Sequence, residues 1–452
     1  MQGLLERVDS LLKEKRYFEV KKIVSEENAA DLAVVFEELF GEDFDERAEF
    51  MVLFRLLPKD LAAETFVHME ADMREHLIGM FTDKELREIL DESFIDDTVD
   101  LIEEMPANVV SRILKNSTTG ERKAINEILH YPKDSAGSIM TIEYVSLHKD
   151  MTVSEAFEKI RKVGVNKETI YTCYVTENRK LIGVITVKDL FLADEEDKIS
   201  DIMETHIISV DTHEDKELVG HMFSKYDFLA LPVVDKDNRL VGIVTFDDAM
   251  DVIQEENTED FSKMAAIAPS EESYFRTGIF KHAWSRIGWL MVLMLSAILT
   301  EKLLMHYKNV VVGNAMLVAL MPMVTGTGGN CGSQSSTMII RGLALSEISF
   351  SDFFKVVFKE FRIAIIVSAL LAVVDGVVIY LFYGHDIHLA LTIAASIVCA
   401  VILSKFIGAM LPMLAKRVGL DPAIMAAPLI TTIVDCCSIF IYFNIAMMIF
   451  NI

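Results

Sequence analysis

The spacing of apolar residues changes twice along this chain. Over residues 1–131 they recur at three- and four-residue intervals, as at Leu86, Ile89 and Leu90, a period that predicts short amphipathic helices. Two stretches there resemble each other, LLPKDLA at 56–62 and EMPANVV at 104–110. Each puts proline where a helix starts, a position at which its missing N–H costs little. Helical pairs that repeat in this way predict a small α-helical superhelix. Over residues 132–256 the apolar runs shorten and turn residues separate them, which predicts strands interleaved with helices. Residues 257–280 are polar and charged and read as a linker helix that Thr258 could cap. The remainder, 281–452, holds five long apolar stretches, about 284–304, 310–340, 363–383, 387–414 and 423–450, each able to cross a bilayer as a helix. The pattern therefore predicts a multidomain chain: a superhelix, an α/β pair, a long linker helix and an all-α five-helix transmembrane domain.

The middle region repeats itself. VTENRKLIGVITVKD at 175–189 matches VDKDNRLVGIVTFDD at 234–248, with Val, Leu, Gly, Thr and Asp at equal offsets. Upstream, Ile139-Met140 matches Ile202-Met203. The unit reads strand–helix–strand–turn–strand–helix, with Asp237-Asn238 at the second hairpin turn. It resembles a tandem pair of CBS domains, 132–196 and 197–256, and the likeness covers both copies. The resemblance implies that Gly183, Thr186 and Asp189 in one copy, and Gly242, Thr245 and Asp248 in the other, meet the ribose and phosphate of an adenine nucleotide such as ATP. The same residues also suit a plainer role, with Thr186 or Thr245 capping the following helix.

Charge divides the chain at the same place as hydropathy. Before Lys281 stand 32 Lys and Arg against 61 Asp and Glu, and from it onward 11 against 8. So anionic a front half cannot displace phosphate counterions from nucleic acid, and anionic lipid repels it. Divalent cations are its natural counter-ions. The acids concentrate late in the second repeat and in the linker, at Asp227, Asp247, Asp248, Asp251, Glu255, Glu256, Glu259 and Asp260. Asp247, Asp251 and Glu255 fall on one helix face, where like charges repel. Divalent ions would bridge them, and Asp91, Asp96, Asp97 and Asp100 of the first domain offer further carboxylates. The five cysteines form no CxxC pair, so neither a zinc site nor a disulfide framework is expected. No apolar leader opens the chain, which predicts a cytoplasmic front half. Lys281, Arg286, Arg341, Lys355, Lys359, Arg362, Lys416 and Arg417 would then flank the spans inside, with only Lys302 and Lys308 outside, which leaves the C-terminus outside.

The spans carry the candidate chemistry. Asp435 is the single carboxylate of the last stretch, and a charge at that depth costs roughly 2.5–3.5 kcal/mol or more unless it meets a partner or water. Pro428, Thr431, Thr432 and Asp435 share one helical stripe, and Pro428 is expected to free the carbonyl of Ile424. Asp421 and Pro422 read as the start of that helix. The second stretch holds GTGGNCGSQSST at 326–337, after Pro322. Its glycines and proline predict a broken helix whose freed carbonyls need protein or water. Gly329, Asn330 and Gln334 would line a pore, although small residues also suit tight helix packing. Asp375 and Lys405, in the third and fourth spans, could pair with each other, and Asp375 is a second, weaker candidate for lining the path.

The order of domains, together with GTGGNCGSQSST and GLDPAIMAAPLITTIVD at 419–435, resembles the MgtE-type magnesium channels and transporters over essentially the whole chain. The resemblance implies a homodimer in the cell membrane, with Asp435 of each subunit facing one central Mg2+ path and Thr431, Thr432, Asn330 and Gly329 beside it. It implies too that the linker acts as a plug, drawn shut when cytoplasmic Mg2+ binds the acids of the second repeat and linker. Three other readings stay open at this point: a carrier of another divalent cation such as cobalt or manganese, a cation-coupled exchanger, and a membrane-tethered nucleotide or metal sensor. No nucleophile–base set, phosphate loop or His/Cys cluster points to an enzyme.

Overall fold

The computed structural model describes residues 2–41, 48–269, 274, 277–345, 347–383, 386–425 and 427–451. The chain divides into two compact units, Met1–Ile253 and Gln254–Ile452.

The first unit opens with helices α1 (Gln2–Lys13), α2 (Tyr17–Val24), α3 (Ala29–Phe40), α4 (Ala48–Leu56), α5 (Lys59–Val67), α6 (Ala71–Met80), α7 (Asp83–Glu92), α8 (Ile95–Glu104), α9 (Ala107–Asn116) and α10 (Thr119–Ile128). Local signals set their ends. Thr82 and Thr118 form reciprocal capping boxes with Glu85 and Glu121. Pro58 and Pro106 stand immediately before α5 and α9, as their repeated motif predicts. Next-but-one helices stack, α1 on α3, α3 on α5, α5 on α7 and α7 on α9, giving the expected superhelix. Its core is fully buried at Leu32, Phe36, Phe50, Leu53, Leu77 and Leu86.

Each sequence repeat then builds one three-stranded sheet. In the first, β1 (Val145–Leu147) runs parallel to β2 (Thr172–Glu177), which pairs antiparallel with β3 (Lys180–Thr186). In the second, β4 (Val210–Asp211), β5 (Ala230–Val234) and β6 (Leu240–Thr245) repeat that order. The helices are α11 (Val153–Val163), α12 (Val187–Leu192), α13 (Ile199–Ile202) and α14 (Lys216–Tyr226). Asn178 and Arg179 turn the first hairpin at φ 53° and 67°, and Asn238 turns the second at φ 61°. The repeats exchange their lead-in segments. Thr141, beside Met140, trades backbone bonds with Ile243 at 2.8 and 2.9 Å, and Glu204, beside Met203, does so with Val184 at 2.9 Å. Met203 lies over Gly183 and Met140 over Gly242, where any Cβ would overlap them. The glycines of the repeat motif therefore have a packing reason to be glycine.

Helix α15 (Phe246–Met264) leaves β6 and passes through residues 256–257 without a break. Thr258 sits inside it and donates to the Gln254 carbonyl at 2.8 Å, so it is not a cap. Of the linker expected at 257–280, residues 270–273 and 275–276 lie outside the described ones.

The second unit is helical: α16 (Ile279–His306), α17 (Lys308–Gly313), α18 (Ala315–Ala344), α19 (Phe353–Phe382), α20 (Ile387–Arg417) and α21 (Ala427–Phe450). Four of these, α16, α19, α20 and α21, are long and apolar enough to cross a membrane. The fifth long helix, α18, is the one that carries the Gly/Ser/Asn segment. Helices α18, α20 and α21 pack on one another, α19 lies on α20, and α16 lies along α21.

Two expectations fail here. The second span is not broken: α18 runs unbroken from Ala315 to Ala344 with Pro322 inside it. Apart from Gly326, its glycines are packed, and packing overrides weak helix propensity. The last span starts at Pro422 after Asp421, as expected, but Pro428 opens its α-helix rather than freeing a carbonyl inside it. A 3-10 turn, Pro422–Met425, comes first, with its Ala423 N–H donating to Asp421 Oδ1 at 2.8 Å. Pro428 then falls in the first turn of α21, where no N–H is needed, and Ile424 lies ahead of the helix.

Candidate functional site

Asp435 sits two turns into α21, half-buried and facing α18. Gly329 is the residue that faces it: a Cβ there would lie in ordinary contact, 3.6 Å from Asp435 Oδ1 and 3.4 Å from Thr431 Cγ2. Gly328 and Gly332 allow close approach on either side, against Ser438 and Val434 and against Ile430. Thr431 and Thr432 both donate to the Pro428 carbonyl at 3.0 Å, which leaves their oxygen lone pairs free to accept. Along α18, Gly326, Asn330, Gln334 and Thr337 are exposed and form an open polar stripe in a helix otherwise built for apolar surroundings. Among the described residues, Asp435, Asn330 and Gln334 have no side-chain hydrogen bond or ion pair. An unpartnered carboxylate with threonine hydroxyl oxygens on the same helix stripe is what a hard cation with its waters recognises.

Asp375 and Lys405 do not pair. Asp375 is half-buried on α19, whereas Lys405 lies 3.6 Å from Glu360 of the same helix and donates to Ser335 at 3.1 Å. Glu360 carries no motif that marks it in the sequence and stands outside the apolar run at 363–383. Helix α19 begins ten residues earlier than the apolar run suggested, at Phe353 rather than Ile363, and so carries Glu360 inward.

Where the linker helix ends, Lys263 bridges two carboxylates, Glu259 at 2.7 Å and Asp421 at 2.6 Å. Met264 beside it packs against Ile340 and Ala423. The end of α15 is thus held at the start of the Asp435 helix by both charge and apolar contact.

The first unit gathers acids. Carboxylate oxygens of Asp96, Glu143 and Glu168 lie within 4.8 Å of one another. Glu143 Oε2 also accepts the Ile95 N–H at 3.0 Å, at the N-terminus of α8, an end that favours anions. Burial pushes Glu168 up to about 8, with Asp247, Asp97 and Asp248 adding to it. Burial likewise raises Asp248 to about 7, against its hydrogen bond from Thr245. Asp96 is held well above the usual range by burial and then by Asp248, and Asp97 and Glu143 are raised by burial. Of the acids the sequence singled out, Asp96, Asp97, Asp247 and Asp248 meet here. Asp91 is exposed on α7, and Asp227 ends α14 in a left-handed turn at φ 56°. Asp251, Glu255, Glu256, Glu259 and Asp260 continue along α15. Glu143 and Glu168 were missed, since each is an isolated acid with no spacing to mark it.

In the repeats, Thr186 accepts the Asp189 N–H at 3.1 Å, and Asp189 accepts from Thr186 N–H and hydroxyl. Thr245 donates to Asp248 Oδ2 at 2.6 Å. The capping role is thus realised in the first copy, and Asp248 serves both its threonine and the acid cluster.

Family models match in three places. They are the MgtE intracellular N domain over residues 27–134, the CBS domain over 136–196 and 199–255, and MgtE, described as a divalent cation transporter, over 321–445. The magnesium transporter MgtE of Thermus thermophilus is 33% identical over 94% of both chains. That of Bacillus subtilis is 31% identical over 98% of this chain and 96% of its own. A solved cytosolic domain of the Mg2+ channel MgtE in complex with ATP is 33% identical, with a TM-score of 0.51, covering 55% of this chain and 99% of that one. Superhelix, CBS pair and glycine-packed helices around a lone aspartate thus agree with relatives that match nearly end to end, and the chain belongs to the MgtE family.

Proposed function

We propose that this chain conducts Mg2+ across the cell membrane through a homodimeric pore, with its N-terminus in the cytoplasm and its C-terminus outside. The observation that carries the reading is Asp435, an unpartnered carboxylate in an apolar helix, beside Gly329 of α18, the helix that also carries the exposed Asn330 and Gln334. Mg2+ sheds water reluctantly and is usually held by one or two carboxylates with several waters kept. One Asp435 from each subunit, with Thr431, Thr432, Asn330 and the backbone at Gly329, would hold a hydrated ion loosely enough to release it.

Cytoplasmic Mg2+ closes the path in this reading. Burial and mutual repulsion hold the acids of the first unit partly protonated at neutral pH, and a divalent cation that binds them displaces those protons and offsets the repulsion. Helix α15 carries Asp247 and Asp248 at one end and Lys263 at the other, so ordering its start bears on the segment that meets Asp421. An adenine nucleotide at Thr186 and Asp189, or at Thr245 and Asp248, would report energy state to the same helix. The support is the motif and the nucleotide held by the relative's cytosolic domain.

The test is Mg2+ influx into proteoliposomes for the native chain and Asp435→Asn, with internal Mg2+ at zero and at several millimolar. The reading expects flux that needs Asp435 and falls with internal Mg2+. Flux unchanged by the substitution would move the path elsewhere, flux driven by a co-ion would make the protein an exchanger, and no flux at all would favour a sensor.

A further inference from the structure

Two opposite charges meet inside the helical unit at a place the ion path does not use. Glu360 lies in α19 and Lys405 in α20, with side chains only 11% and 7% exposed and 3.6 Å apart. Ser335 of α18, itself 2% exposed, stands between them. Its hydroxyl donates to Glu360 Oε2 at 2.6 Å and accepts from Lys405 Nζ at 3.1 Å. Three helices are thereby tied at one point through charge-assisted bonds, which are directional as well as strong.

A buried ion pair is weak support for stability, since apolar residues of the same volume often do as well. Its value is geometric. Toward its ends α18 packs apolar side chains on α20 and α21, Leu317 and Leu320 at one end and Ile339 and Leu343 at the other, but its middle meets them through small residues. Gly408 lies against the Gly332 carbonyl, and Gly328 against Ser404 and Ser438. Such smooth surfaces let helices approach closely but resist rotation and sliding poorly. Ser335 sits about 140° around α18 from Asn330 at 3.6 residues per turn. A turn of the helix about its axis would therefore carry Gly329 away from Asp435 and Asn330 away from the open face.

We propose that Glu360, Lys405 and Ser335 form a positioning bridge that fixes the rotation of α18 and so holds Gly329 opposite Asp435 and keeps Asn330 on the open face. The proposal rests on the reading of Asp435 as the ion path. None of the three touches the ion. Glu360 is engaged by Ser335 and Lys405, and its role is to set the distance between oxygens that do.

Mg2+ uptake by proteoliposomes would be measured for the native chain, Ser335→Ala, Glu360→Gln, Lys405→Met and the reversed pair Glu360→Lys with Lys405→Glu. Each is purified as monodisperse protein, and half-saturating Mg2+, maximal rate and inhibition by Ca2+ are read separately. The single-charge variants should raise half-saturating Mg2+ roughly 10- to 100-fold, the range seen when a residue supporting a metal ligand is lost. They should also weaken discrimination against Ca2+, with a smaller change in maximal rate. Ser335→Ala should fall between, and the reversed pair should recover most of the loss. A bridge that only stabilises would lower the yield of folded protein and leave half-saturation and discrimination untouched, which would overturn the proposal. If the charge variants do not fold, Ser335→Ala decides in the same way. Loss of flux in Asp435→Asn alongside unchanged bridge variants would sink the bridge alone, and retained flux in Asp435→Asn would sink the path itself.

Discussion

Single glycines decide how close the helices around Asp435 come, and they differ sharply in what they tolerate. A Cβ at Gly408 would overlap the Gly332 carbonyl, a backbone atom that cannot swing aside, whereas a Cβ at Gly326 meets nothing within 4 Å. Gly408→Ala should therefore destabilise the detergent-solubilised protein by about 1–3 kcal/mol, the usual cost of overpacking. Gly326→Ala should be neutral or slightly stabilising, since alanine favours a helix over glycine by about 0.5–1 kcal/mol. Thermal melts of the two variants side by side check the pair, and equal melting temperatures would show that α18 and α20 do not meet at Gly408. At this scale the sequence was informative where chemistry is rare, as at Asp435. It was silent where a residue matters through what lies opposite. Glu143 and Glu168 are unremarkable acids until folding buries them beside Asp96.

Elements were legible in kind more than in position. Hydropathy finds apolar runs, but a helix can begin before its run, and α19 does so by ten residues, carrying Glu360 to Lys405. Asp375 and Lys405 are charges in adjacent spans that could pair, yet partners across helices are set by rotation, which period alone does not fix. Glycine and proline in α18 argued for a break because propensity counts only local cost, whereas α20 and α21 supply packing on the glycine faces. The CBS repeat fared better, because two aligned copies constrain each other and their turns need positive φ at Asn178 and Asn238. The linker offers a test at this level. Lys263 joins Glu259 and Asp421 while keeping 24% of its side chain exposed, and such pairs contribute about 0.2–1 kcal/mol each. Lys263→Met leaves Met264 on Ile340 and Ala423 but removes the tie. If the linker closes the path, basal Mg2+ flux at zero internal Mg2+ should rise about two- to fivefold, and more internal Mg2+ should be needed to suppress it. Unchanged basal flux would mean that Lys263 has no part in closure.

For the whole molecule, the acid excess of the front half becomes a statement about pH and metal. The carboxyls of Asp96, Asp97, Glu143, Glu168 and Asp248 are all raised by burial, Glu168 to about 8 and Asp248 to about 7. In the unfolded chain such groups lose their protons near pH 4 to 4.5. Between there and the raised values the unfolded state holds fewer protons than the folded one, so stability falls as pH rises. The contribution is fully present below about pH 4 and is lost through about pH 8. This runs opposite to a salt-bridged carboxylate, which stabilises as pH rises. Mg2+ should reverse the loss where the acids are ionised and do little where they are protonated, because a cation binding the folded state stabilises it by mass action. Limited trypsin digestion of the full chain at pH 6.5 and pH 8.5, with and without Mg2+, separates the effects. Cleavage within residues 1–253 should be faster at pH 8.5 without Mg2+, and protection by Mg2+ should be larger at pH 8.5 than at pH 6.5. Glu168→Gln keeps the shape of the protonated acid, so it should digest more slowly than the native chain at pH 8.5 and gain less from Mg2+. Protection by Mg2+ that is equal at both pH values and indifferent to Glu168 would place the sensing acids outside this cluster, further along α15.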